Sequence, residues 1–317
     1  MTSTSAYAVY DASYPQRTPY LTSTEYNNAP TAMDVNNLIA GGSAQANATA
    51  LTETINRACS WIDQFCLGAW GSLTATQNTE NARVWGNRYG QIVVHPKYWP
   101  ILSVDAVSYA PMGAGIPSSG ASITPSGNVW IEPMQFVISS SGGTTAWTSG
   151  GLTGNWGWGG GGIGVGTCEY FVNFTYTNGW PNTTLAASVA AGATSIQPSN
   201  VTGIYPGTPL TLYDLPLDEP AVVASTYTIG NSTVPLTTPL QYSHSTTATV
   251  TNLPPAIKQA AILATTAFIK QRGSGALEVA DMGAVTRQIT GLPQNAGSDW
   301  AEAEQLLNAF KMQYVGY

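Results

Sequence analysis

The sequence is short of charge. Only 9% of its 317 residues are Asp, Glu, Lys or Arg, against roughly a quarter in an average globular chain. Cations are the scarcer sign: ten Lys and Arg stand against 17 Asp and Glu, for a formal net charge of -7 and a pI near 4.7. Without a Lys/Arg cluster to displace counterions from phosphates, gripping a nucleic-acid backbone is excluded. Apolar runs long enough to cross a bilayer, about 18 residues or more, are missing too. The opening "MTSTSAYAVYDASYPQRTPY" has neither a basic start nor an apolar stretch, so no signal peptide is expected.

Histidine and cysteine are nearly absent. His95 and His244 are the two histidines, and neither sits at a zinc-ligand spacing from the three cysteines. An odd cysteine count fits synthesis in a reducing compartment. Cys59 and Cys66 lie seven residues apart in "INRACSWIDQFCLGAW", residues 55–70. On a helix that spacing gives about 10.5 Å of rise, too far for a disulfide. Leu51, Ile55, Ala58, Ile62 and Phe65 recur at spacings of four, three, four and three, so the cysteines belong to the apolar stripe of a packing helix. Glu53 and Arg57 form an i,i+4 pair on its other side.

Catalytic signatures are lacking as well. There is no Gly-x-Ser-x-Gly elbow. The glycine-rich "TSGGLTGNWGWGGGGIGVG", residues 148–166, lacks the Gly-Lys-Ser/Thr ending of a phosphate-binding loop. Asp214, Asp218 and Glu219 do not follow a calcium-loop spacing and read as solvated turn carboxylates. Nothing in the spacing of Asp63, Asp105, Glu132, Glu169 and Asp218 recommends a glycosidase pair. The expectation is a protein that is not an enzyme, with no catalytic residue, no metal and no cofactor.

What the chain does have is Gly, Ser, Thr, Asn and Pro in quantity and 10% aromatics. Such a chain stays in solution through hydroxyls and amides, and low charge with many Trp and Tyr suits extensive protein-protein contact. Residues 1–31 read as an extended N-terminal arm. A helix over about 46–67 leads into short strands between 84 and 138, and "CEYFVNFTYTNGWP" is a strand ending in an Asn178-Gly179 turn. Together, residues 32–182 form a core of helix and strands. Residues 183–253, rich in Thr and Val with regular Gly/Pro turns, read as an inserted β subdomain. Residues 254–317 return to helices. Pro254-Pro255 opens the first, Ile257, Ala261, Ala264 and Phe268 share its face, and Gly273 is its expected stop. "SDWAEAEQLLNAFKMQYVGY" follows with Asp299 and Glu302 at capping-box spacing. The fold class expected is α+β: a small helical bundle with a short-stranded sheet, plus an inserted all-β subdomain.

The order of these elements resembles the head-tail connector, or adaptor, proteins of long-tailed bacteriophages. It is carried by "ALTETINRACSWIDQFC", with its Ile-Asp-x-Phe-Cys ending, then "YWPILSVDAVSYA", then "FTYTNGWP", then the Pro-led "LPPAIKQAAILATTAFIKQRG". The resemblance covers somewhat under half the chain, and the 183–253 block departs from the smallest members of the family. It implies a virion protein made in the bacterial host cytoplasm and located at the head-tail neck. There, a ring of about twelve copies docks on the portal protein, receives a stopper or tail-terminator protein, and lets double-stranded DNA pass without specific binding or any membrane contact. For portal or neighbour contacts the positions it offers are Trp300, Leu306, Phe310, Tyr314 and Tyr317. The same helical stripe could instead pack inside its own subunit. Two rival readings are a carbohydrate- or surface-binding β protein and a cell-wall hydrolase.

Overall fold

A strand in this chain does not need to look hydrophobic. Residues Thr76–Trp85, "TQNTENARVW", form the ten-residue strand β1, whose side chains alternate between half-buried and exposed. Thr, Asn and Val suit a pleated, half-covered surface, and period-2 alternation places Ala82 and Val84 on the inner face. The computed structural model that shows this describes residues 18–31, 33–67, 71–86, 91–111, 121–123, 129–138, 169–277 and 294–311.

The expected helical bundle with a short-stranded sheet is overturned. Among the described residues the chain is mostly β, with thirteen strands in four antiparallel sheets and four α-helices. The physical reason is visible in β1: Thr- and Asn-rich segments without an apolar run still satisfy their backbone groups as long ladders. By contrast, only a few segments carry the 3.6-residue apolar period that a helix needs.

The chain divides into two compact units, Ala75–Gly179 and the remainder, Met1–Thr74 with Trp180–Tyr317. In Ala75–Gly179 the strands after β1 are β2 (Ile92–Val94), β3 (Ile101–Pro111), β4 (Ala121–Ile123), β5 (Val129–Ile131), β6 (Phe136–Ile138) and β7 (Glu169–Asn178). One sheet has the order β1-β7-β3-β4 and the other β2-β6-β5. β1 and β7 pair without interruption from Thr76↔Asn178 to Trp85↔Glu169, whereas β3 against β7 has two register shifts, between Ile101 and Ser103 and between Val104 and Ala106. The inner faces share one core of Val104, Val107, Val172, Phe174 and Tyr176 with Ile92, Val94, Phe136 and Ile138. Phe136 and Phe174 meet edge to face at 5.1 Å.

The other unit holds the four helices: α1 (Ser23–Asn28), α2 (Ala44–Leu67), α3 (Pro255–Leu277) and α4 (Gln294–Leu307). The expected stripe of α2 is buried, with Cys59 and Cys66 in it as free thiols. α3 carries Ile257, Ala260, Ala261, Ala264, Thr265 and Ala267 almost without exposure, so it has no wide polar face and lies centrally. It runs past Gly273 to Leu277, and α4 begins at Gln294, five residues before the expected cap Asp299. Asp299 instead pairs with Lys270 at 2.7 Å.

The same unit contains β8 (Asn182–Thr184), β9 (Ser195–Ile196), β10 (Pro209–Tyr213), β11 (Glu219–Val222), β12 (Val234–Pro235) and β13 (Thr249–Thr251), in sheets β11-β10-β13-β8 and β12-β9. Leu210, Leu212, Val223, Val234 and Val250 fill a separate core there. Turns between such short strands force the backbone into left-handed conformations, as at Gly207 (φ 83°) and Gly230 (φ 90°).

Candidate functional site

Residues 18–31 are anchored by side chains. α1 begins with a capping box in which Thr22 and Glu25 satisfy each other's backbone N–H groups. Lys258 of α3 donates to Glu25, and its ammonium also lies 4.0 Å from the centre of the Tyr213 ring. Burial pushes the Lys258 ammonium below its ordinary value, and the Glu25 charge pulls partly back. Tyr26 is fully buried, with its hydroxyl 3.0 Å from that of Thr266. Residues 1–17, the rest of the expected arm, lie outside the described residues.

A pocket of about 450 Å³ lies beside α2. Its wall on α2 is Thr52, Asn56, Cys59, Ser60 and Asp63, the face next to the apolar stripe, and Tyr20, Ser72 and Thr74 close the other side. Asp63, 7% exposed, accepts the Tyr20 O–H and, at 3.1 Å, the Leu73 N–H. Burial pushes the Tyr20 phenol well above its ordinary value, and the Asp63 carboxylate pushes it further. Cys59 is the one thiol on the α2 wall. Burial pushes its thiol up to about 12, so at neutral pH it stays protonated and inert. It accepts the Tyr20 backbone N–H at 3.4 Å. This cavity can exchange hydrogen bonds with a small polar group.

A second polar cluster lies in the short-stranded block. His244 is 2% exposed and Glu219 5%. The imidazole Nε2–H donates to Glu219 Oε1 at 2.7 Å, and Nδ1 stands 3.6 Å from Asp214 Oδ2. Glu219 also accepts the N–H groups of Gln241 at 2.8 Å and Tyr242 at 3.3 Å. Burial alone would raise its carboxyl, but the His244 bond and the two backbone N–H donors outweigh burial and hold it below the usual Glu range. Ser245 donates its N–H to Asp214 at 2.9 Å, and its hydroxyl lies 3.4 Å from the same carboxylate oxygen. A hydrolase triad would need that hydroxyl on the imidazole. Here both ring nitrogens face carboxylates and the hydroxyl faces a carboxylate too. The arrangement fastens the turn at 241–245 to the turn between β10 and β11. Glu219 is therefore not a solvated turn carboxylate, and His244 is interior. Among the described residues no group of three or more His, Cys, Asp or Glu could hold a metal ion.

Three of the positions expected to make portal or neighbour contacts are half-buried and have neighbours within the chain. Trp300 packs on Trp61 at 4.5 Å and Phe268 at 4.9 Å. Leu306 and Phe310 pack on the helical core, with Phe310 edge-on to Trp180 at 5.7 Å. Tyr314 and Tyr317 lie outside the described residues. Among the described residues no helix is long and apolar enough to cross a membrane. A scan against protein-family models gives no match, and a search of curated proteins gives none either.

Proposed function

We propose that this chain is a structural virion protein, a head-tail connector that forms a ring under the portal, extends the DNA channel and receives the stopper or tail. The observation that carries the reading is that its two motif-bearing helices are partners. α2 ends in Ile62, Asp63, Phe65 and Cys66, and α3 is opened by Pro255. They share one core through Leu51, Ile55 and Ile62 with Ile257, Ala260 and Ala261. Scarce charge supports it, because ring subunits must bury broad lateral surfaces. An acidic balance supports it as well, because DNA has to slide past without being held. Under this reading the partners are the portal, a stopper or tail terminator, and further copies of the chain in a ring of about twelve. The protein resides in the virion neck after synthesis in the host cytoplasm.

A second reading, a carbohydrate- or surface-binding module, draws on Trp85 and Trp130, which are 65% and 69% exposed. Electron microscopy of lysates from the parent phage carrying an early stop codon in this gene separates the two. DNA-filled or leaking heads beside free, complete tails are the expected outcome. Intact tailed particles that fail to adsorb would replace the connector by the surface-binding reading.

A further inference from the structure

The turn between β10 and β11 reads Asp214-Leu215-Pro216-Leu217-Asp218. Turns favour Gly, Pro, Asn, Asp and Ser, and leucine contributes nothing to turning a chain. Leu215 is 42% exposed and Leu217 37%, and on the abutting turn Tyr242 is 41% exposed. A single exposed leucine needs no explanation, but three large apolar side chains on two turns fastened to each other do. The fastening is thorough. Leu217 N–H donates to Asp214 O at 2.9 Å, Asp214 N–H to Asp218 Oδ1 at 2.8 Å, and the second turn is held by Gln241 N–H, Tyr242 N–H and His244 on Glu219 and by Ser245 N–H on Asp214. A tip ordered beforehand loses little conformational freedom on binding.

Charge selects the partner. The segment 183–253 has three acidic residues, Asp214, Asp218 and Glu219, and no Lys or Arg. Glu219 is turned inward on His244, leaving Asp214 and Asp218 at the rim of the apolar tip. Lys258, which feels the Asp218 charge, is itself buried against Glu25. Two such tips brought together would set like charges against each other, a costly arrangement. We propose that Leu215, Leu217 and Tyr242, rimmed by Asp214 and Asp218, form a docking tip for a polypeptide surface whose apolar side chains are flanked by Lys or Arg. The tip does not depend on the connector reading, and it is available to any assembly that presents such a surface.

The test is fluorescence anisotropy of the full chain with two short amphipathic peptides of identical leucine pattern, one with Lys and one with Glu at its polar positions. The Lys peptide binds and the Glu peptide does not. Leu215→Ser with Leu217→Ser leaves net charge and melting temperature unchanged and weakens Lys-peptide binding about tenfold or more. Asp218→Asn weakens it several-fold and flattens its salt dependence. Equal Lys-peptide binding by the double serine variant would overturn the proposal, because the attraction would then be to the acidic chain at large. Failure to bind either peptide would overturn it as well. Self-association seen in sedimentation and abolished by the double serine change would transfer the tip to a second copy of the chain.

Discussion

The long-stranded sheet of Ala75–Gly179 and the short-stranded block from Asn182 to Thr251 are both built from uncharged, Thr-rich sequence, yet they are held together differently. β1 and β7 share ten consecutive pairs, so the backbone ladder supplies the order, and side chains such as Thr79 and Thr175, 2.9 Å apart across it, add only incremental contacts. In the block the longest strand has five residues. There, buried polar side chains take over the work of the missing ladder, and Glu219 alone receives three donors. Where strands are short, a few side chains become indispensable. The long sheet has its own buried anchor in Tyr176, whose hydroxyl donates to Glu80 at 2.6 Å and accepts the Tyr98 N–H at 3.1 Å, but there it adds to a continuous ladder.

The strongest way to break this contrast is Glu219→Ala, which strands the His244 ring and two backbone N–H groups without an acceptor. It should destabilise the block by about 3–5 kcal/mol. Hydrogen exchange read segment by segment would show amides of 209–251 losing protection while those of 76–85 and 169–178 keep theirs. Gly207→Ala should cost about 1–2 kcal/mol, through the left-handed backbone at that position alone, since a Cβ there meets no atom within 4 Å. Urea unfolding of the single variant measures it.

Acid provides a reversible version of the first change. Glu219 has a folded-state value below its ordinary one, so its contribution is present above the unfolded value of about 4.3 and is lost as pH falls through the lower, folded value. Protection of the block should decline in that window. The smallest effect belongs to the long sheet. Asp105 accepts from Gln77 at 2.8 Å, Ser103 at 2.7 Å and Thr177 at 3.1 Å, but its own side chain is exposed, and Asp105→Asn should stay within about 0.5 kcal/mol by thermal melting. A larger loss there would erase the distinction between ladder-held and side-chain-held β structure.

Helical parts of this fold were legible because their signal is local. Leu51, Ile55, Ala58 and Ile62 announce α2 and its buried cysteines without any knowledge of what packs on them. Helix ends were less so: Gly273 does not stop α3, and Asp299 answers Lys270 rather than capping α4. β1 escaped because "TQNTENARVW" has period-2 alternation but few apolar residues, and its strand state comes from β7, about ninety residues away in sequence. Thr22-Ser-Thr-Glu25 is a capping-box pattern that marked α1 within the expected arm, so that helix could have been found. The Glu219–His244 pair had no comparable local sign, since the two are separated by 25 residues. The one clue was a lone histidine in a block with three acids and no Lys or Arg. The helical pattern around Trp300, Leu306 and Phe310 was legible, but an apolar pattern does not say whether it faces its own chain or another.

The anchor of α1 has a temporal consequence. Glu25 waits for a lysine 233 residues further on, and Tyr26 for a threonine 240 residues on. At a synthesis rate of about 5–20 residues per second, that is a delay of roughly 10–50 s on the ribosome. The ladders of Ala75–Gly179 among the described residues close within that unit, so it can finish folding while Leu51, Ile55 and Ile62 are still without α3. From completion of that sheet until α3 emerges, the nascent chain therefore carries an apolar helix without its partner, and that interval is where a chaperone would matter most to this protein.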